Sequence, residues 1–259
     1  TRKESSAASD VYKRQEEDYK ALLKVLSQSN FDRLGFEKQE GESDEDEMVR
    51  QLIVGNMIKA DDETAKAQAS QIFDRYRDNL EKLPAAIRLQ VLVNQIKHHE
   101  SKELTKLYLD LYVASNDGSF KSALSTALSY TKNKETLDEL LATWKDKFTV
   151  KPQDLSAWYA RFLSRDFTQE AVWTWARENW DWIKAALGGD MSFDSFVISP
   201  AVVFKTEKRL AEYKAFFEPQ LDDMAISRNI SMGIKEIAAR IELVKREKEA
   251  VEKAIRAAI

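Results

Sequence analysis

The sequence predicts an all-α protein, and three observations support this. Glycine and proline are scarce, at 7 and 4 of 259 residues, well below their average combined share of about 12%. Apolar residues recur at spacings of three and four along most of the chain, as they do in amphipathic helices. Short polar segments that carry helix-capping residues separate these stripes.

The short connections predict antiparallel helix pairs. Stacked pairs of this kind build α-solenoids, and the chain shows no clean repeat of fixed period. We therefore predict an irregular superhelix, a HEAT- or armadillo-like α-solenoid. Residues 1–10 are small, polar and unpatterned, so we predict a disordered or extraneous extension there and a single helical domain over residues 11–259.

The first half of the chain predicts a series of short helices. The first stripe belongs to a helix at 11–29, and an acidic loop at 37–47 follows it. The run Asp44-Glu-Asp-Glu suits a helix N-terminus, where negative charge meets the positive end of the dipole; binding of a partner is the alternative. Helix starts are also indicated at Asp61-Asp-Glu-Thr, Leu83-Pro84 and Ser101. The further predicted helices are 44–59, 62–79, 84–98, 102–115, 119–130, 134–147 and 152–164.

All six tryptophans lie between Trp144 and Trp182. A helix at 167–187 would be apolar over most of its circumference, and such a helix is buried on several sides. Tryptophan clusters also bind sugars and cations, but this breadth favours a structural role in the core. The four tryptophans of this helix are Trp173, Trp175, Trp180 and Trp182.

Asn179 falls in the middle of the apolar arc of this helix. A buried amide needs hydrogen-bond partners. Its side chain therefore either ties down the backbone of a helix end or lines a ligand cavity. The glycines at 188 and 189 are expected to end the helix in left-handed conformations.

The C-terminal part predicts an interrupted region and one long helix. Ser199-Pro200 is expected to forbid a regular helix through 191–203. A short helix begins at Thr206 and ends near Phe216-Phe217, and the last helix runs from about Asp222 to near the end. Its apolar stripe consists of Ile226, Ile230, Ile234, Ile237, Ile241 and Val244. Arg228 lies on the opposite side, which faces either water or a cavity.

Composition and motifs exclude several functions. The 40 basic and 44 acidic side chains nearly balance, so we expect no nucleic-acid or membrane partner. The absence of cysteine excludes disulfides and is typical of a cytoplasmic protein. The two histidines, His98 and His99, point about 100° apart on a helix, and His99-Glu100 is followed by Glu103 where a zinc-protease box requires histidine. We predict no catalytic residue, no metal ligand and no cofactor within this chain.

Several segments together carry a family resemblance. They are Leu83-Pro-Ala-Ala-Ile-Arg88, Ala123-Leu-Ser-Thr-Ala-Leu-Ser-Tyr-Thr-Lys-Asn133, Gln153-Asp154, the run from Trp173 to Trp180, Phe216-Phe217 and Ser227-Arg-Asn-Ile230. In order and spacing they resemble the C-terminal helical domain of aminopeptidase N-type zinc aminopeptidases, in particular the broad-specificity lysyl aminopeptidases (aminopeptidases N) of lactic acid bacteria. The resemblance covers about Val11 to Lys248.

The resemblance implies a noncatalytic domain of a zinc metalloprotease. In that family the domain is an irregular superhelix that closes over a peptide chamber and contacts the distal part of the peptide. Zinc would lie in a separate, upstream catalytic domain, and the partners would be that domain and peptide substrates. Arg228 and Arg88 are the candidates for binding a peptide's C-terminal carboxylate, because a guanidinium matches a carboxylate bidentately. Salt bridges between helix layers are the alternative for each.

A second function stays open at this point. A free-standing α-solenoid could bind a protein partner along its concave face. The two functions are distinguished by whether the reading frame continues upstream of Thr1 into a His-Glu-x-x-His segment.

Overall fold

The computed structural model describes the backbone of residues 2–259 and the side chains of 15–190 and 192–259. Thr1 lies outside the described residues, as do the side chains of 2–14, so the extension at 1–10 stays a prediction. Residues 2–259 contain no strand, which confirms the all-α class; the superhelical arrangement stays a prediction. The helices are α1 (Arg2–Leu34), α2 (Asp44–Lys59), α3 (Glu63–Arg75), α4 (Ala85–His99), α5 (Lys102–Ala114), α6 (Gly118–Leu128), α7 (Lys134–Thr143), α8 (Pro152–Leu163), α9 (Gln169–Glu178), α10 (Trp180–Leu187), α11 (Ser195–Val203), α12 (Glu207–Phe217) and α13 (Ser227–Ala258). Three 3₁₀ turns lie at Leu80–Lys82, Met191–Asp194 and Glu218–Gln220.

Four of the predicted helix starts are confirmed by capping bonds. Ser43 forms a capping box, in which its Oγ accepts a bond of 3.2 Å from the backbone N–H of Asp46 and its own N–H donates to the Asp46 carboxylate at 3.1 Å. Asp62 caps α3 and Ser101 caps α5 through side-chain oxygens. Thr206 caps α12 in the same way. These bonds satisfy N–H groups that have no partner inside the helix.

The chain divides into two compact units. The first unit consists of residues up to Gln95 together with Glu247–Ile259, and the second unit is Ile96–Arg246. Helices α4 and α13 contribute residues to both. The prediction of one domain over 11–259 stays a prediction.

The first unit has an aliphatic core between its helices. Its most buried side chains, each at most 6% exposed, include Ile53, Val54, Met57, Ala65, Ala69, Ile72, Phe73, Val91 and Leu92. The buried Arg50 side chain is held by the Glu42 carboxylate and the Leu34 carbonyl. The last turns of α13 join α1 through an ion pair of 3.0 Å between Arg256 and Asp18.

The second unit has an aromatic core built around α8. This helix packs against α6, α9 and α11. Trp158 stacks on Phe162 of the same helix at 5.6 Å between ring centroids, and Trp144 meets both rings edge-on. Tyr159, on another face of α8, stacks on Phe196 of α11 at 4.7 Å. Aromatic rings from α8, from α11 and from Trp144 after α7 therefore share one core.

The tryptophan-rich segment forms two helices, so the single helix predicted at 167–187 is wrong. Asn179, at φ −111° and ψ 17°, separates α9 from α10. Its side-chain Nδ2 donates to the Trp175 carbonyl at 2.7 Å, and its own backbone N–H bonds to the same oxygen at 3.0 Å. Asparagine side chains compete for the local backbone in this way, which interrupts a helix.

The glycines after α10 do not adopt the predicted left-handed conformation. Gly188 is right-handed, at φ −61° and ψ −13°, and its N–H bonds to the Lys184 carbonyl. Positive φ among glycines occurs instead at Gly35 and Gly41. After α10 the chain turns through a bond of 2.8 Å from the Asp190 N–H to the Leu187 carbonyl. The chain thus leaves the helix from the right-handed region at Gly188 and becomes extended at Asp190, with φ −103° and ψ 142°.

Pro200 lies inside α11, so the prediction that no regular helix passes through it is wrong. Proline lacks the N–H that would bond to the residue one turn earlier. Burial offsets that loss, since Phe196, Val197, Pro200 and Ala201 are all buried in the second unit.

The last helix begins at Ser227 rather than at about Asp222. The Asp223 carboxylate accepts the Ala225 N–H at 3.1 Å and pairs with Lys184 at 2.9 Å. This local turn holds residues 222–226 outside the helix. Of the predicted stripe, Ile226, Ile230, Ile237 and Ile241 are at most 4% exposed, Ile234 is half-buried and Val244 is 42% exposed.

Candidate functional site

A groove of about 750 Å³ lies between α7 and α9, within the second unit. We call it the α7/α9 groove. It is lined by Thr131, Lys132, Asn133, Lys134, Leu137, Asp138, Leu141, Ala142, Phe167, Glu170, Ala171, Thr174, Trp175 and Glu178. Its volume is in the range of pockets that bind small molecules and peptide side chains.

The floor of the groove is apolar. Leu137 and Leu141 of α7 are 4% and 6% exposed, and Trp175 of α9 is half-buried. The Trp175 ring meets Trp144 edge-on at 5.0 Å and Trp182 at 6.2 Å. These contacts hold the Trp175 ring in place while part of it stays accessible from the groove.

One end of the groove carries a cation and an aromatic ring. Lys132 Nζ lies 4.8 Å from the centroid of Phe167, a side chain that is 66% exposed. The loop that carries Lys132 is held by Glu100, whose carboxylate accepts the Lys132 N–H at 3.1 Å and the hydroxyl of Thr131. Asn133 then caps α7 by accepting the Thr136 N–H. The position of the cation therefore depends on a fixed loop.

The rim of the groove is charged but mostly paired. Lys134 pairs with Asp138 at 2.5 Å. Glu170 pairs at 2.8 Å with Arg209, which also binds Glu212 at 2.6 Å. An apolar floor with a paired rim suits binding of apolar or aromatic side chains, and it offers no nucleophile with an adjacent base.

The other faces of α9 and α10 are core. Trp173 is fully buried against the rings of Phe204, Phe216 and Phe217, at 5.3 to 5.9 Å. Trp180, 7% exposed, contacts Phe216 and Phe217 too and donates its indole N–H to Gln220.

Exposure differs among the four tryptophans of α9 and α10. Trp173 and Trp180 are buried, whereas Trp175 and Trp182 are half-buried and Ala186 is exposed. The apolar circumference predicts burial on several sides, and this is confirmed for the faces that carry Trp173 and Trp180 but not for the edge that carries Trp175 and Trp182. Asn179 is half-buried and bonds to the end of its own helix.

The two arginine candidates occupy different units. Arg88, in the first unit, donates to the backbone carbonyls of Leu83 at 3.2 Å and Glu81 at 2.9 Å. Its guanidinium thus stabilises the turn before α4. Arg228, in the second unit, is exposed in the first turn of α13. A role for either residue in binding peptide stays a prediction.

Sequence reasoning missed the α7/α9 groove. Phe167, Ala171 and Trp175 follow each other at intervals of four, so they share one face of the helix predicted at 167–187, although α9 itself begins at Gln169. That spacing was a usable signal, but an apolar face alone does not distinguish a groove from a core contact. The Glu100 contact that fixes Lys132 spans 32 residues.

Two classes of feature are missing from the described residues. In 15–190 and 192–259 no group of three or more His, Cys, Asp or Glu side chains could hold a metal ion. Across the part of the chain that the structure describes, no helix combines the length and the apolarity needed to cross a membrane.

Comparisons with known proteins place the chain in a family. Residues 3–239 match the ERAP1-like C-terminal domain. The chain is 55% identical to aminopeptidase N of Lactococcus lactis subsp. lactis over 92% of its length, but covers 28% of that relative. The chain is 38% identical to aminopeptidase N of Lactobacillus helveticus over 95% of the chain, and the match covers 29% of that relative. It is 25% identical to glutamyl aminopeptidase of Mus musculus over 66% of the chain, and the match covers 18% of that relative. The chain therefore spans less than a third of these relatives, and it belongs to the ERAP1-like C-terminal domain family.

Proposed function

We propose that this chain is the noncatalytic C-terminal domain of a zinc-dependent aminopeptidase, a hydrolase that removes N-terminal residues from peptides. One observation carries the proposal: the 55% identity to an aminopeptidase N of which the chain covers only 28%. The domain encloses the peptide chamber and positions the distal end of the substrate, in the cytoplasm. Its partners are peptides and the upstream catalytic domain of the same polypeptide.

Zinc does not fit the residues of this chain. The described residues include no group of three or more suitable donors. His98 and His99 are exposed in the last turn of α4, and Glu103 stands where a second histidine would be required. We therefore derive no hydrolytic step from this chain and assign it access and positioning. Positioning alone contributes substantially to catalysis when it holds the reacting bond in place.

The first prediction concerns the complete reading frame. Upstream of Thr1 it should encode a His-Glu-x-x-His segment followed by a distal glutamate ligand. The complete polypeptide should bind zinc stoichiometrically and release amino acids from anilides and peptides, and the isolated 259-residue chain should do neither. Elemental analysis and an anilide assay measure both properties.

Stoichiometric zinc or hydrolysis in the isolated chain would contradict the noncatalytic assignment. A frame without the upstream motif would favour the free-standing scaffold, whose partner would occupy the α7/α9 groove.

The second prediction concerns Arg228. In the complete enzyme, Arg228→Ala should raise KM about tenfold for short peptides and leave KM for an amino-acid anilide nearly unchanged. The anilide lacks the terminal carboxylate that a guanidinium would bind, and hydrogen bonds to charged groups are worth about 1.5–3 kcal/mol. Steady-state kinetics on both substrates measure the difference.

Arg88→Ala is the comparison variant. Because its guanidinium binds the Leu83 and Glu81 carbonyls, this change should lower the melting temperature, and a KM raised for peptides but not for the anilide would assign carboxylate binding to Arg88 as well. Equal KM changes on both substrates in Arg228→Ala would rule out a carboxylate-binding role for Arg228.

A further inference from the structure

A small cavity of about 130 Å³ lies between α5, α6 and α8 in the second unit. We call it the α6/α8 cavity. It shares no lining residue with the α7/α9 groove. Its volume equals that of about four water molecules, which is enough for a carboxylate group with a short alkyl chain. The charged and hydroxyl-bearing residues of its wall are Tyr112, Lys121, Ser122, Ser125, Asp154 and Arg161.

Arg161 is a half-buried cation in this cavity. Its Nη2 donates to the Ser122 hydroxyl at 2.9 Å. Among the described residues no carboxylate lies within 4.0 Å of its guanidinium. Burial lowers the pKa of Arg161 below its ordinary value, although an arginine stays protonated at neutral pH. Most of its N–H donors therefore have no protein acceptor in the described residues, so Arg161 can bind an anion.

Lys121 supplies a second cation. Its Nζ lies 4.3 Å from the centroid of the Tyr112 ring, and within residues 15–190 and 192–259 it forms no ion pair. The π face of the Tyr112 ring attracts the Lys121 ammonium. The N–H donors of the ammonium that point away from the ring stay available to a ligand. Two cations thus line a cavity of the size of one small anion.

Asp154 is the carboxylate among the lining residues, and one of its two oxygens already accepts a hydrogen bond. Its Oδ2 accepts a hydrogen bond of 2.9 Å from the Tyr112 hydroxyl. Burial raises the pKa of Tyr112 to about 12, so the phenol keeps its proton and remains the donor at neutral pH. The two cations outweigh this single carboxylate, and the cavity carries a net positive charge.

We propose that the α6/α8 cavity is an anion site that binds one carboxylate group between Arg161 and Lys121. The planar guanidinium matches the two carboxylate oxygens. The single excess positive charge matches a monoanion, and Asp154 on the wall disfavours a dianion such as phosphate. This site goes beyond the proposed function and does not depend on it.

The test measures binding of propionate to the 259-residue chain at low ionic strength by titration calorimetry. We expect saturable binding at one site, and Arg161→Gln should weaken it at least tenfold. Arg77→Gln removes the same charge from an exposed arginine of the first unit and should leave the affinity unchanged. Equal affinities of Arg161→Gln and the unmodified chain would overturn the proposal.

A steric variant tests the cavity without removing charge. Gly118 lines the cavity, and beyond its chain neighbours and the backbone of its own helix a Cβ at this residue would meet nothing within 4 Å. Gly118→Val should therefore fill the cavity, weaken propionate binding at least tenfold and keep the melting temperature. Gly189→Ala, at another glycine with open space around it, is the matched control and should keep full affinity. Full affinity in Gly118→Val would overturn the site.

The anion's chemistry and source are distinguished by competing probes. Tighter binding of inorganic phosphate than of propionate would overturn the carboxylate assignment. Displacement of propionate by trialanine but not by trialanine amide would identify a peptide terminus as the source. Displacement by neither peptide would identify a free small carboxylate, and both of these outcomes support the site.

Discussion

Trp173→Ala is expected to lower the free energy of unfolding of the second unit by about 3–5 kcal/mol. The indole is fully buried and contacts the rings of Phe204, Phe216 and Phe217. Removing it takes away the packing of three aromatic partners and leaves a cavity at the centre of the unit. Phe216 and Phe217 belong to α12 and Phe204 follows α11, so these partners cannot collapse together to fill it.

Urea denaturation followed by tryptophan fluorescence measures this loss selectively. All six tryptophans lie in residues 144–182, within the second unit, so the signal reports on that unit. Trp182→Ala removes a half-buried indole whose ring partner among the described residues is Trp175. This change should lower the free energy of unfolding far less than Trp173→Ala does.

Trp173→Phe gives a second comparison. It keeps an aromatic ring and removes an indole N–H that has no partner among the described residues. It should therefore lose clearly less stability than the alanine variant. A loss below about 1 kcal/mol for Trp173→Ala would contradict the central position of this residue.

Gly233→Ala should destabilise the second unit by about 1–3 kcal/mol, the usual range for overpacking a core. Alanine is a better helix former than glycine by about 1 kcal/mol, so helix propensity alone predicts that the variant is more stable. The structure predicts a loss because a Cβ at Gly233 would lie 2.9 Å from Cζ of Tyr213 and 3.0 Å from Cβ of Ala201. Tyr213 cannot move aside easily, since its hydroxyl donates to the Val197 carbonyl at 3.1 Å and its ring packs on Phe217 at 4.7 Å.

Gly189→Ala is the matched control for this prediction. A Cβ at Gly189 meets nothing within 4 Å, and its φ is not in the left-handed region. The change should therefore stabilise the unit by about 0.4–1 kcal/mol through the unfolded state. The same denaturation assay measures both variants. Equal stability of Gly233→Ala and the unmodified chain would contradict the close approach of α13 to Tyr213.

Helix starts were the most predictable part of the fold. Asp62 and Ser101 cap the helices that their sequence context indicates. A cap depends on a side chain and an N–H group only three residues apart, so nearly all the information is local. Helix ends were less predictable. The helix predicted at 134–147 ends at Thr143, where the Trp144 N–H bonds to the Leu141 carbonyl, three residues back, instead of continuing the four-residue pattern.

The tryptophan segment shows where local reasoning ends. Its apolar breadth correctly indicated a central element, but the break at Asn179 depends on one side chain that bonds to the Trp175 carbonyl. Trp173 and Trp175 are two residues apart and equally apolar, yet one is buried and the other faces a groove. The difference arises because Phe204, Phe216 and Phe217, distant in sequence, cover only one of them.

The two candidate sites depend even more on tertiary structure. Lys121 and Arg161 are 40 residues apart in the sequence and line one small cavity. Arg88 stays a candidate for peptide binding, and two of its guanidinium donors already bind the carbonyls of a neighbouring turn. A sequence shows which residues can bind an anion but not which of them still have unpaired donors after folding.

By itself, the sequence determined the all-α class, the capped helix starts, the residues available for the core and the resemblance that the family match confirms. These properties depend on residue type and on contacts within one or two helical turns. Only the tertiary structure decided that Pro200 stays inside a helix, that Trp175 borders a groove and that Arg161 lines a cavity. Those outcomes depend on burial and pairing by residues far away in the chain, whose effects become definite only when the helices are packed.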